Sequence, residues 1–297
     1  MKNPLKTLKL ALKAGVATKR YPYEKPIVTD RYRGTIRIDP EKCRGCGLCA
    51  RACPTGALVY MLDRQTLRRI VAYNSSQCIH CGLCIDACRF NAISFTREFE
   101  EVTDNISALD YIVVHESPKS MKTPYRVEEA KSSRPILPEW LQRSIWVFHL
   151  NTGSCNGCDI EILDLISPYH DPERFGVRLV ASPRQADALL LTGPITLKIL
   201  PEVLEAIEAM PRPRAIIAAG TCATGGNMWR DSYSVLGGVP RLLEVLKERG
   251  IEVDAVLYAP GCPVRPETLL YAIALIRGLV EPKPRRVVHT RYWGVKK

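Results

Sequence analysis

A chain of 297 residues, 46% of them hydrophobic, is long enough for two packed domains, and no run approaches the ~18 apolar residues a membrane helix needs. Its formal charge of +11 is uneven, with 24 Lys and Arg against 15 Asp and Glu in residues 1–143, then 18 against 16 in residues 144–297. A basic balance suits nucleic acid. No helix-turn-helix, RNA-binding or zinc-finger signature accompanies it, so docking to acidic or anionic surfaces is the better expectation, and no nucleic-acid partner is expected.

In residues 1–34, Leu5, Leu8, Leu12 and Val16 recur at helical spacing beside a stripe of Lys2, Lys6, Lys9 and Lys13, with Leu10 off the apolar face. This predicts a basic amphipathic segment lying on a membrane surface or on a partner subunit. Lys9 and Lys13 interrupt the apolar run, which disfavours a secretory signal, and no twin-arginine motif is present. The expected location is peripheral, on the cytoplasmic face of the cell membrane.

Residues 35–98 hold two copies of C-x₂-C-x₂-C-x₃-C: Cys43, Cys46, Cys49 and Cys53, then Cys78, Cys81, Cys84 and Cys88. The segments repeat each other, CRGCGLCARACPTGALVY answered by CIHCGLCIDACRFNAISF, with Gly45, Gly47 and Gly82 permitting tight turns. Three closely spaced thiolates wrap one 4Fe–4S cube, and the fourth cysteine points to the other. Cluster one is expected to take Cys43, Cys46, Cys49 and Cys88; cluster two, Cys78, Cys81, Cys84 and Cys53. Zinc, the main competitor for paired C-x-x-C motifs, has no need of the third close cysteine, and ligand-like spacing speaks against disulfides. Pro54 follows the first set, whereas Arg89 stands at the equivalent place in the second. His80 reads as a surface residue more readily than as a tuner of cluster potential.

Residues 99–143 are turn-rich, with one apolar run at Tyr111–Val114, and read as a connector that wraps along a domain interface or a partner. Residues 144–297 alternate strand and helix. Strands are expected at 144–150, 177–181, 188–192, 215–219 and 253–258, with helices at 159–166, 197–209, 240–249 and 266–278, which implies an open parallel sheet covered on both faces. Cys155 and Cys158 follow the first strand, Cys222 the fourth and Cys262 the fifth. All four fall beyond the carboxyl ends of strands, where such sheets build their sites, so distant residues can converge on one cube. The 12 cysteines then make three 4Fe–4S clusters with none left over.

The stretches SCNGCDIE at Ser154–Glu161, GTCATGG at Gly220–Gly226 and APGCPVRPE at Ala259–Glu267 resemble the cluster-bearing small subunit shared by NiFe hydrogenases and complex I. YPYEKP, DRYRG and the doubled cysteine motif are similar to the two-cluster subunit of the same assemblies, as if two subunits were fused. The resemblance implies an α/β flavodoxin-like open parallel sheet preceded by an α+β two-cluster ferredoxin domain. It implies a proximal cluster on Cys155, Cys158, Cys222 and Cys262, next to a catalytic large subunit. Asn156 and Gly157 separate the first two ligands, as in hydrogenases, whereas complex I subunits usually have adjacent cysteines there.

All twelve thiolates being assigned, a NiFe site must belong to that partner. Integral membrane subunits and ferredoxin complete the implied assembly, with H₂ evolution as its reaction. A nickel-free relative reducing quinone or sulfur compounds is the alternative. A binding protein with purely structural clusters is a third reading, which three cubes on two dissimilar domains disfavour. Glu161 matches a family glutamate and is a candidate for proton transfer; its plainer reading, shared by Asp159, is a helix N-terminal carboxylate. Arg265 suits either a partner carboxylate or the cluster loop. Gly225 and Gly226 only superficially resemble a phosphate loop.

Overall fold

A computed structural model describes residues 4–117, 125, 128–133, 138, 143–284 and 286–292. The carboxyl-terminal half is a five-stranded, all-parallel sheet. Its strands are β6 (Ile145–Asn151), β7 (Val177–Val180), β8 (Ala188–Thr192), β9 (Ala215–Ala219) and β10 (Ala255–Ala259), ordered β7-β6-β8-β9-β10. Numbered within the sheet, this is the flavodoxin-like order 2-1-3-4-5. Each crossover carries hydrophobic side chains to one face or the other. Leu189 and Leu191 of β8 pack with α5 (Leu200–Ala209) and α7 (Val239–Glu248), while Leu190 packs with α4 (Gly157–Leu165) and α8 (Pro266–Ile276). Strands buried on both sides read as unbroken apolar runs, which is why ALLLT and AIIAA lack polar alternation. Each Leu or Ile so buried contributes roughly 1.5–3 kcal/mol.

Every residue of α8 is buried, including Glu267. Pro266 starts this helix, where its missing amide is no loss. Helix and strand ends lie within a few residues of the sequence expectation, as befits termini that fray.

The amino-terminal half pairs β1 (Ile36–Ile38) with β4 (Ile93–Phe95) antiparallel. It also builds a second sheet from β2 (Leu58–Asp63), β3 (Arg68–Asn74), β5 (Asp110–Glu116) and β11 (Val287–Tyr292), ordered β11-β5-β3-β2. Here the linear reading and the structure differ. Strand β5 comes from the expected connector, and β11 returns from the far end of the chain to pair parallel with it. A lone β2–β3 hairpin is marginal in water, whereas Val113 and Val114 give β5 apolar side chains for both faces of a larger sheet. An earlier part of the connector also has a place: Thr103 exchanges backbone hydrogen bonds of 3.1 and 2.7 Å with Tyr258, covering the edge strand β10.

Helix α1 (Pro4–Ala14) forms as its periodicity predicts, with Leu5, Leu8 and Leu12 exposed. Downstream, Tyr21 is buried in the α4–α8 core. Among the described residues no helix is long and apolar enough to cross a membrane.

Candidate metal centres

The doubled cysteine motif folds into two short helices, α2 (Leu48–Ala52) and α3 (Leu83–Asp86), each entered through a left-handed glycine, Gly47 or Gly82. At Gly47 a side chain is excluded twice over: φ is +75°, and a Cβ would stand 2.8 Å from the Tyr60 ring. The helices cross the motifs over. Cys43, Cys46, Cys49 and Cys88 border one small cavity of about 20 Å³, with Ile38, Val71 and Ile93 as its apolar wall. Cys53, Cys78, Cys81 and Cys84 border a second of about 10 Å³, walled by Ile36, Leu58 and Tyr73. None of the twelve cysteines is in a disulfide.

Cys49 and Cys84, one at each cavity, are buried among other thiols. Burial, then the nearness of Cys43, pushes Cys49 up to about 11; Cys46 and Cys88 add to the shift. Burial, then Cys78 and Cys53, pushes Cys84 up to about 12. Four thiolates around one small apolar volume repel one another unless cationic charge sits among them. The iron of a 4Fe–4S cube is a charge of that sign, and the donor set is the one such a cube takes. The residues therefore fit the group.

Amide donors already point at sulfur. His80 N donates to Cys78 Sγ at 3.4 Å and Ala92 N to Cys88 Sγ at 3.3 Å. Such hydrogen bonds stabilise the more negative reduced state and raise its potential. His80 thus contacts the Cys78 thiol through its backbone, while burial depresses its imidazole to about 4. Another imidazole, unmarked by any motif, lies against the Cys43–Cys49 loop. A Cβ on Gly45 would meet the His115 ring at 2.8 Å, and His115 is 3% exposed. Arg291 of β11 donates to the carbonyls of Pro40 and Cys43 at 2.8 and 2.9 Å, so the returning strand braces the same loop.

The third set assembles at the carboxyl edge of the parallel sheet. Cys155 and Cys158 lie in the β6–α4 turn and the first turn of α4; Cys222 lies in the short helix α6 (Thr221–Gly225) after β9; Cys262 follows β10. Burial, then Cys222, Cys262 and Cys155, pushes Cys158 up to about 12. Gly220, at φ +86°, lies so close to Cys158 Sγ that a side chain there would displace the sulfur. Asn227 Nδ2 donates to Cys222 Sγ at 3.5 Å. Cys155 and Cys262 are exposed, so this set lies at the surface, next to the exposed Ile160 and Leu163 of α4.

Asp159 does more here than greet a helix dipole. Its carboxylate accepts from Asn151 Nδ2 at 3.2 Å and Thr192 Oγ1 at 3.0 Å, and from the Ser154 hydroxyl, with His149 Nε2 also 3.0 Å away. It thereby ties the ends of β6 and β8 to the Cys155–Cys158 turn. Glu161 is half-buried, and burial, then Asp164 and Glu267, raises its carboxyl above the usual range. Nearby, Glu267 is 1% exposed and receives Arg265 Nε at 3.0 Å together with the Lys19 ammonium. Although burial pushes Glu267 up, these two cations bring it down to about 2. Arg265 is therefore engaged within the chain.

The two halves meet between these sites. Gln77 Nε2 donates to Gly225 O at 2.5 Å, and Thr221 Oγ1 donates to Cys78 O at 3.0 Å. A Cβ on Gly225 would run into the Gln77 amide and stand 2.8 Å from Ser76 O. The glycine pair that faintly suggested a phosphate loop thus contributes a close helix-to-turn contact.

Comparison with known proteins places these features in two families. Residues 155–276 match the family described as NADH ubiquinone oxidoreductase, 20 Kd subunit, and residues 35–89 match the 4Fe-4S dicluster domain. The chain is 44% identical over 155 residues to the probable membrane-bound hydrogenase subunit mbhJ of Pyrococcus furiosus, covering 50% of this chain and 87% of that one. It is 38% identical over 169 residues to formate hydrogenlyase subunit 7 of Escherichia coli, covering 57% of this chain and 61% of that one. It is 39% identical over 138 residues to an NADH-quinone oxidoreductase subunit of Geotalea daltonii, covering 46% of this chain and 73% of that one.

Proposed function

The chain belongs to the NADH ubiquinone oxidoreductase 20 kDa subunit family and carries a 4Fe–4S dicluster domain, and from that membership we propose that it is the electron-transfer subunit of a membrane-bound, H₂-evolving NiFe hydrogenase. In this reading it holds three 4Fe–4S clusters: one on Cys43, Cys46, Cys49 and Cys88, one on Cys78, Cys81, Cys84 and Cys53, and a proximal one on Cys155, Cys158, Cys222 and Cys262. The observation that carries it is the grouping of the thiols into two walled cavities and one sheet-edge set joined by a tight interface.

A bound cube supplies one-electron redox chemistry at low potential. The protein's share is to wall off water with Ile38, Val71, Ile36 and Leu58, and to aim the amides of His80 and Ala92 and the Asn227 side chain at sulfur. The exposed edge at Cys155 and Cys262 suits contact with a catalytic large subunit that houses nickel. Glu161, on the same edge with a raised carboxyl, suits passage of protons to that partner. Ferredoxin is the proposed electron donor, and integral membrane subunits hold the assembly on the cytoplasmic face of the membrane. Separation of Cys155 and Cys158 by Asn156 and Gly157 favours the hydrogenase branch.

The test is the metal content of the intact complex, purified anaerobically. Nickel near one per copy, with iron above the roughly twelve atoms that three cubes contain, is the expected result. Similarity to a quinone oxidoreductase subunit supports a second reading, in which catalysis uses quinone or a sulfur compound without nickel. Iron near twelve with no nickel selects it.

A further inference from the structure

One hydroxyl group touches the backbone at or next to ligands from two different sets. Thr221 is 1% exposed; its Oγ1 donates to the carbonyl of Cys78 at 3.0 Å and accepts from the amide of Gly261 at 3.2 Å. Thr221 is bonded to Cys222, and Gly261 to Cys262. The Thr221 amide in turn donates to Gly261 O at 2.9 Å. A continuous path of covalent and hydrogen bonds therefore runs from Cys78 in the second cavity to two of the four thiols at the sheet edge. The loop of the first cavity is braced from elsewhere, by Arg291 of β11 on the carbonyl of Cys43.

Further close contacts surround this path. The adjacent Gln77–Gly225 bond and the absence of a side chain at Gly225 press α6 against the turn before Cys78. Thr224 Oγ1 donates back to Gly220 O at 2.8 Å, which locks the turn that carries Thr221.

We propose that Thr221 is the positioning residue that holds the Cys78 loop in bonded contact with the sheet-edge loops, and that its hydroxyl sets how fast an electron would pass between those two sets. The inference rests on the cluster reading above. With both sets holding clusters, one electron would leave one and enter the other; no bond would form or break and no proton would move. The electron comes from a low-potential one-electron donor protein. The hydroxyl keeps the two ligand loops in bonded contact and does not titrate.

The experiment uses the intact complex carrying T221V, T221A or T221S. Iron content, the potential of each cluster and the rate of electron arrival at the proximal cluster are measured by EPR after rapid mixing with reductant and freezing. T221V keeps the side-chain volume and loses the hydroxyl; the expected result is wild-type iron, near wild-type potentials and a severalfold slower arrival, with T221S close to wild type. A merely structural threonine would instead lower iron content or move potentials without that separation of V from S. Should T221V lose iron, T221A and T221S are compared in its place. Slow alanine with fast serine supports the proposal, and equal rates overturn it. Equal rates in T221V and wild type, with all clusters present, overturn the wiring role alone. A wild-type complex lacking these clusters overturns the functional reading along with it.

Discussion

The two ferredoxin-like cavities and the sheet-edge set gather four thiols each by opposite structural means. Each cavity draws three cysteines from one seven-residue window and borrows the fourth from its twin, so a local turn and one helix–helix crossing suffice. The sheet-edge set draws on three loops spread from Cys155 to Cys262, and nothing but the parallel sheet brings them together. The two cavity sets need only the paired windows and a small core, whereas the sheet-edge set is as sound as the packing of β6, β9, β10 and α8 beneath it.

That contrast breaks first at the thiols. C158S is expected to cost the complex about four iron atoms, the content of one cube, and to spare the EPR signals of the other two. Loss of all three signals would show that the halves are not independent in binding. C43S should remove a different signal and leave the sheet-edge one intact.

The next largest effect tests the support beneath the distant centre. E267Q leaves Lys19 and Arg265 without their carboxylate in the interior, at an expected cost of about 3–5 kcal/mol in denaturant unfolding. The same group sets a pH dependence. Glu267 is held near 2, below its ordinary 4.5, so the native state binds its proton more weakly than the unfolded chain does. Its contribution is complete above about pH 4.5 and is lost as pH falls through 2, for a total on the order of 3 kcal/mol. Stability of the wild type should therefore fall more steeply with acid over that window than stability of E267Q.

A smaller change should separate the centres by spectroscopy. D159N weakens the carboxylate that Ser154, Thr192 and Asn151 hold, for about 1.5–3 kcal/mol, the range for hydrogen bonds to charged groups. The sheet-edge EPR signal should broaden or shift while the two cavity signals stay fixed. Smallest in prospect is G225A, whose methyl group collides with Gln77 and should cost about 1–3 kcal/mol as overpacking. Its signature is greater hydrogen exchange at the Ser75–Gln77 turn, with iron content unchanged.

Much of this arrangement is legible in one dimension because the signals are local. Cysteine spacing encodes the crossover of the two motifs, and the unbroken runs ALLLT and AIIAA encode strands buried on both faces. Other features left no local trace. Strand β11 reads as a tail after the last helix, and its pairing with β5 depends on backbone hydrogen bonds that any extended segment can offer. His115 merely follows an ordinary apolar run, so nothing marks the side chain that lies over Gly45. Asp159 and Thr221 stand next to cysteines, and their neighbours alone do not say which distant groups they hold.

The sequence by itself determined which atoms can bind: twelve thiols in three sets, glycines where the chain must turn against sulfur, and apolar runs able to bury a parallel sheet. Those properties are carried by residue type and short spacing. Only the tertiary structure decided how the sets are joined. The Cys78–Thr221–Gly261 chain, the Gln77–Gly225 contact and the Lys19–Glu267 ion pair join residues from 40 to 248 positions apart, and only after the sheet and its helices have packed. Contacts of that kind follow from where backbones meet, and no short window of sequence contains both partners.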